Sequence, residues 1–219
     1  MSHVTLVRHG QANSHNRTEG GYDRLSDLGW QQSRWLGAHF RDSGEVFARV
    51  YCGTLRRHRE TAEGIAAQTP GETVVDPRLN ELEYFNMSQA LAEQHGIAIP
   101  TDREEFVRHL PQLFTHWRDG RLEGVTESFD AFEARVREVV HDIAGGAGRA
   151  LVVTSGGLIG MAMRVTMGLD IPALCHVCLS IMNTSVHRWQ PFPTGLALTQ
   201  FNAVPHLETV ERQLAQTHI

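Results

Sequence analysis

Lysine is missing from this 219-residue chain, and all 20 of its basic residues are arginine. That excludes Schiff-base catalysis on a lysine amine and the phosphate-binding lysine of a P-loop. Cysteine is scarce, with three residues; an odd number and no secretory leader predict a reduced, cytoplasmic setting rather than a disulfide framework. Two of the three form Cys175-His176-Val177-Cys178, but the stretch Ile171 to Met182 is apolar and brings no second ligand pair. The pattern therefore predicts thiols buried on a short helix rather than a metal or redox centre. The longest apolar tract, Ala150 to Met163, is broken by Thr154-Ser155-Gly156-Gly157 and closed by Arg164, too short and too interrupted to span a bilayer. Nor is there an excess of positive charge. With 25 acidic against 20 basic residues the formal charge is −5 at pH 7, which argues against nucleic acid and anionic membranes as partners.

What the chain does contain is an alternation of short apolar runs and amphipathic stretches, the pattern of an α/β layered fold. Its length suits a single domain over residues 1–219 that buries a full core. Val4 to Val7, Ala48 to Cys52, Thr73 to Asp76, Arg149 to Thr154, Thr184 to Trp189 and Leu196 to Phe201 read as strands. They predict a three-layer sandwich, with a mostly parallel central sheet flanked by helices. Ser26 is placed to cap a helix carrying Leu28, Trp30, Trp35, Leu36 and Phe40, and another helix runs from about Leu55 to Gln68. Ser128 starts a third, whose Phe129, Phe132, Val136, Val139, Val140 and Ile143 recur at helical spacing before Gly145-Gly146. Gln11 to Arg24 reads as a polar loop, and Pro191 and Pro193 fall in the connection between the last two strands. Residues 86–125 are mostly polar and helical, punctuated by Pro100 and Pro111, and read as a small helical cap inserted beside the sheet.

Three polar groupings follow strand ends, the edge at which open α/β sheets bind ligands. Arg8-His9-Gly10 leaves the first strand, Arg56-Arg57-His58-Arg59 opens a helix after the second, and Leu79-Asn80-Glu81-Leu82-Glu83 follows the third and Pro77. Guanidinium forks and the unpaired N–H groups of a helix start both donate to oxyanions, with phosphate the natural candidate. A neutral histidine beside that anion can attack phosphorus, and a nearby carboxyl group can protonate the leaving oxygen. Together these residues predict phosphoryl transfer through a phosphohistidine.

The motifs resemble the histidine phosphatase superfamily, which includes the cofactor-dependent phosphoglycerate mutases and many phosphatases. The similarity begins at Arg8-His9-Gly10 and continues through Leu25-Ser26-Asp27-Leu28-Gly29 with Gln32, the segment around Arg57, and Leu79-Asn80-Glu81. It extends to Glu127-Ser128 with Phe132 and Arg135, Asn183-Thr184-Ser185-Val186, and Phe201-Asn202 with His206-Leu207, so it spans nearly the whole chain. The resemblance implies His9 as nucleophile, Arg8 and Arg57 as phosphoryl clamps, and Glu81 as the proton donor, with Glu83 its competitor. It implies neither a metal nor an organic cofactor. The implied partner is a phosphorylated small molecule or a phosphopeptide, and nothing in the sequence bears on oligomeric state.

One departure stands out. The superfamily pattern has a second histidine after the apolar strand, in a segment resembling Val-x-His-Gly-Gly. Here Val152-Val153-Thr154-Ser155-Gly156-Gly157 puts Ser155 in that place. A serine offers one neutral donor on a shorter arm, and losing a donor to developing charge typically costs about 10²–10³-fold in turnover. Ser155, with the N–H groups of Gly156 and Gly157, would still bind phosphate if His58 or His15 supplied the missing charge. Otherwise His58 is an imidazole on a helix surface, and the site is a low-activity or non-catalytic binder of phospho-ligands. His15 stands where the superfamily often has asparagine, flanked by Asn13 and Asn16, which makes Asn16 an auxiliary candidate. The 86–125 stretch lacks the paired arginines and Pro-rich segment that mutases carry there and offers only isolated Arg103, Arg108, Arg118 and Arg121, so hydrolysis is expected over isomerisation.

Overall fold

Alternation along the strands divides most of the interior into two cores, with a small third cluster at Val204, Leu207 and Ala215. A computed structural model describes residues 3–13, 16, 18–67 and 69–218. Among them, six strands form one sheet: β1 (Val4–Arg8), β2 (Arg49–Cys52), β3 (Val74–Val75), β4 (Ala150–Thr154), β5 (Val186–Phe192) and β6 (Gly195–Ala203), in the order β3-β2-β4-β1-β5-β6. The first four pair in parallel, and β5 pairs antiparallel with both β1 and β6. The sheet is therefore mixed and mostly parallel, as its composition predicts. Val4 and Leu6 of β1, with Ala150 and Val152 of β4, face the larger core; Val7, Leu151 and Val153 face the smaller one. A two-residue period with apolar residues on both faces requires helices on both sides.

Those helices are α1 (Glu19–Tyr22), α2 (Asp27–Asp42), α3 (Arg56–Ile65), α4 (Tyr84–His95), α5 (Arg103–Arg118), α6 (Phe129–Gly145), α7 (Gly156–Met167) and α8 (Ile171–Ser180). α2 and α3 cover the smaller core through Leu36, Phe40 and Ile65. α4 to α8 cover the larger, and the predicted α6 stripe from Phe129 to Ile143 is buried in it. Ser26 and Ser128 cap as expected, accepting from Gly29 N–H at 3.1 Å and Ala131 N–H at 3.2 Å. α2 and α3 touch backbone to backbone at Gly37, where a Cβ would fall 2.0 Å from the Ile65 carbonyl oxygen.

The structure moves four expected boundaries. α3 ends at Ile65 because Ala66 turns left-handed at φ 45°, and Gln68 lies outside the described residues. Within Gln11 to Arg24 a single helical turn, α1, forms because Thr18 caps it through Gly21 N–H. Pro111 does not punctuate; it sits inside α5, where the Val107 carbonyl that loses its partner belongs to an exposed residue that water can reach. Pro191 belongs to β5, pairing with Leu196 beyond the last residue that faces β1, where its missing N–H breaks no ladder bond.

Candidate active site

The carboxyl ends of β1 and β4 are locked side by side, and the site grows from them. His9 N–H donates to the Thr154 carbonyl at 2.8 Å, so the residues after β1 meet those after β4. The His9 imidazole is buried, with Nδ1 2.7 Å from the Gly10 carbonyl. Only a protonated nitrogen can pair with a carbonyl, so Nδ1 carries the hydrogen and Nε2 the lone pair. Burial, and then the positive fields of Arg57 and Arg8, hold this imidazole well below the usual histidine range, which keeps it neutral. Its backbone is fixed on both sides. Asn183 Nδ2 donates to the His9 carbonyl at 3.2 Å, Thr184 N–H donates to the Arg8 carbonyl at 3.0 Å, and Gly10 N–H donates to Thr61 Oγ1 at 3.0 Å. Gly10 has no alternative, because a Cβ there would lie 2.4 Å from the Gly29 carbonyl oxygen.

The two arginines are held differently. Arg57, in the first turn of α3, is buried; its Nη1 pairs with Asp23 at 3.0 Å and its guanidinium lies 5.1 Å over the Tyr22 ring. Arg8 is anchored by Nη1 to the Ile181 carbonyl at 2.6 Å and to the His218 carbonyl. In both, Nε is buried and without a hydrogen-bond partner. A Cβ at Gly156 would lie 3.6 Å from the Arg8 Nε, which places that nitrogen beside the start of α7. Asp23, Tyr22 and Thr61 complete this arrangement, and sequence reasoning missed them. The only signal was their position, in the polar loop and in the helix that carries Arg57.

Glu81 crosses from the third grouping to the same place. Its Oε2 accepts from Gly157 N–H at 2.8 Å and its Oε1 from Leu82 N–H at 3.0 Å, a carboxylate at a helix N-terminus. The segment that carries it is tied down by hydrogen bonds. Arg135 grips Glu127 with two bonds of 2.9 and 2.7 Å and donates to the Arg78 and Asn80 carbonyls, while Thr154 Oγ1 holds the Leu79 carbonyl at 2.7 Å. Glu83, the competitor, accepts from Thr126 Oγ1 and Asn86 Nδ2. Those two bonds hold it below the usual carboxylate range, so its ionised form is favoured.

His58 is not on a helix surface. It is fully buried, with Nε2 2.6 Å from Ser155 Oγ and its ring centroid 5.8 Å from that of His9. Burial foremost, then Arg57, holds it well below the usual histidine range. It is therefore neutral and supplies no charge, contrary to one expectation. Asn16 does not join the group: it is exposed, and its Oδ1 accepts from Thr18 N–H and Oγ1. His15 lies outside the described residues. Cys175 and Cys178 are on α8, where burial pushes the Cys175 thiol up to about 12 and also holds that of Cys178 well above the usual thiol range; both are neutral packing groups, as predicted.

Beside these residues opens a cavity of about 360 Å³, lined by Arg57 and five carboxylates, Glu19, Asp23, Glu81, Glu83 and Glu127, with Met87 of α4 and Trp117 of α5 in its apolar wall. Among the described residues no helix is long and apolar enough to cross a membrane.

A buried histidine, two arginines and a carboxylate thus meet at the carboxyl edge of the mostly parallel sheet of an α/β protein. The chain belongs to the histidine phosphatase superfamily (branch 1), whose model matches residues 4–204. It is 31% identical to the probable phosphoglycerate mutase GpmB of Erwinia tasmaniensis, across 95% of this chain and 96% of that protein. The same-named protein of Enterobacter sp. strain 638 is 29% identical over the same shares. Similar folds occur in a phosphoserine phosphatase variant from Entamoeba histolytica in complex with phosphoserine (TM-score 0.69, 18% identity, 94% of this chain and 100% of that one). They also occur in the phosphoglycerate mutase from Bacillus anthracis (TM-score 0.70, 20% identity, 94% of each chain).

Proposed function

We propose that this chain hydrolyses phosphomonoesters through a phosphohistidine on His9. The observation that carries the reading is the His9 imidazole itself, neutral and buried, with Nδ1–H pinned by the Gly10 carbonyl so that Nε2 presents its lone pair. In the first step Nε2 attacks phosphorus. The P–O ester bond breaks, and the leaving oxygen takes its electron pair and then a proton from Glu81. In the second, Glu81 as carboxylate takes a proton from water, whose oxygen attacks phosphorus and breaks the N–P bond, releasing phosphate. The Nε groups of Arg8 and Arg57, buried and unpaired, donate to the phosphoryl oxygens together with Ser155 and the Gly156 N–H. Helices α4 and α5 act as a cap over the leaving group. Rapid-quench labelling from a radiolabelled phosphomonoester tests the reading, with the label mapped to His9. Tight binding of the ester without label would instead define a phospho-ligand binding protein.

Glu81 matters in proportion to how poor the leaving group is. Glu81→Gln is expected to lower turnover of alkyl phosphates by about 10²–10³-fold, yet to change hydrolysis of an aryl phosphate with an acidic phenol by less than about tenfold. Equal losses on both would remove Glu81 from the proton-donor role.

The names of the relatives favour a mutase as the second reading, and the charge of the cavity opposes it. An ester with its own carboxylate, such as 3-phosphoglycerate, would meet five carboxylates, of which Asp23 and Glu127 are paired with Arg57 and Arg135; Glu19, Glu81 and Glu83 leave an excess of acidic groups, an unfavourable arrangement. Given 3-phosphoglycerate, the protein is expected to turn over slowly and to release phosphate rather than 2-phosphoglycerate. Efficient interconversion with little free phosphate would reverse the assignment.

A further inference from the structure

We infer that His58 and Ser155 form a donor relay, in which His58 Nε2–H fixes Ser155 Oγ so that the serine O–H donates a hydrogen bond to a phosphoryl oxygen. The inference rests on the phosphohistidine reading and names how the site works with serine at position 155. The 2.6 Å separation of Nε2 and Oγ establishes the bond; three further observations set its direction and purpose.

The first is the other ring nitrogen. His58 Nδ1 is buried without a partner and is closed off by Gly53, where a Cβ would lie 2.3 Å from it. Nδ1 is unpaired in either tautomer, but a buried N–H without an acceptor is rarer than a buried lone pair without a donor, which favours the hydrogen on Nε2 with Oγ accepting it. The serine's own proton is then free to point elsewhere. The second is that Ser155 holds the N-cap position of α7 with extended backbone (φ −117°, ψ 167°) yet makes no side-chain cap bond. Ser26 and Ser128, in the same position on α2 and α6, both do. The Ser155 hydroxyl is thus withheld from the helix and held by the imidazole. The third is proximity: the two imidazoles are 5.8 Å apart, and His9 N–H bonds the carbonyl of Thr154, the residue before Ser155, so the serine sits next to the segment that carries His9.

The same facts exclude a serine nucleophile. No carboxylate accepts from His58 Nδ1, so nothing orients the ring to deprotonate Ser155. No proton is transferred along the relay; it orders a donor. Ser155 touches the phosphoryl group, and His58 is a positioning residue.

Kinetics of variants on an alkyl phosphate test this. Ser155→Ala removes only a hydroxyl, and is expected to lower kcat about 10²-fold with KM nearly unchanged. His58→Leu fills the same space without a donor and is expected to lower kcat severalfold or more. His58→Gln, which restores an amide N–H at similar reach, is expected to recover most of that loss, a rescue that a space-filling role would not produce. Because the two residues act as one unit, Ser155→Ala with His58→Leu is expected to be no slower than Ser155→Ala alone. Additive losses, or parental kcat in either single variant, overturn the relay. If His58→Leu does not fold, Ser155→Ala and His58→Gln still decide: parental kcat in the first, or a loss in His58→Gln as large as that of Ser155→Ala, is enough to reject it. Parental rates of His9 labelling in the His58→Leu variant would reject the relay alone, whereas no labelling in the parental protein rejects both readings.

Discussion

His9→Ala is expected to abolish both phosphoenzyme formation and turnover, by about 10⁴-fold or more, because no step of the proposed double displacement survives without the atom that would carry the phosphoryl group. The measurement is single-turnover labelling at neutral to alkaline pH, where a phosphohistidine persists, alongside steady-state phosphate release. Residual turnover above about a tenth of the parental rate would mean that water attacks phosphorus directly. The environment of His9 adds a pH signature. A histidine that titrates near 6.5 would lose nucleophilicity between about pH 7.5 and 6. Burial, Arg57 and Arg8 hold the His9 imidazole well below that range. The labelling rate is accordingly expected not to fall across the interval, and a decline centred near pH 6.5 would contradict the electrostatics of the site.

The second large effect is on stability. His187 and His206 are buried imidazoles, pushed down to about 3 chiefly by burial. His187 accepts from Asn202 N–H through Nδ1 and is 2.9 Å from Ser185 Oγ, while His206 Nε2 is 2.8 Å from Thr184 Oγ1. Unfolded, both would bind a proton near pH 6.5. As pH falls below that value the unfolded chain takes up protons that the folded one refuses, so stability is complete above about 6.5 and drains away below it. At pH 5 each such histidine costs about 2 kcal/mol. His9 and His58 act in the same direction. Against a total of about 5–15 kcal/mol for a typical domain, this predicts a protein near its unfolding threshold at pH 5. Urea midpoints at about pH 7.5, 6 and 5 should fall steeply between the last two; equal midpoints would show that these imidazoles protonate in the folded state.

The parts of the site legible in the sequence are those that local order determines. Arg8-His9-Gly10 ends a strand, Arg57 opens a helix and Glu81 follows a strand, so each could be placed at the sheet edge from neighbours within a few residues. What remained hidden is set by contacts distant in the chain. The separation of 97 positions from His58 to Ser155 leaves no periodicity to read, and whether an imidazole on an arginine-rich helix start is exposed or buried depends on what covers it. Its charge state followed from that burial and not from its arginine neighbours alone. Arg8 is anchored by carbonyls 173 and 210 positions away. Proline, too, was read by its local preference alone: Pro111 and Pro191 look like breaks, and only the solvent beside α5 and the end of β1 make them tolerable where they are.

Residues 215–218 carry a practical consequence. Gln32 Nε2 donates to the Ala215 carbonyl and to Thr217 Oγ1, Asn183 N–H donates to the Thr217 carbonyl, and Arg8 reaches the His218 carbonyl. Substitutions at these residues therefore act on the Arg8 anchor, at the carboxyl end of β1. A weak activity in a variant altered here reports the state of that anchor before it reports the chemistry of His9.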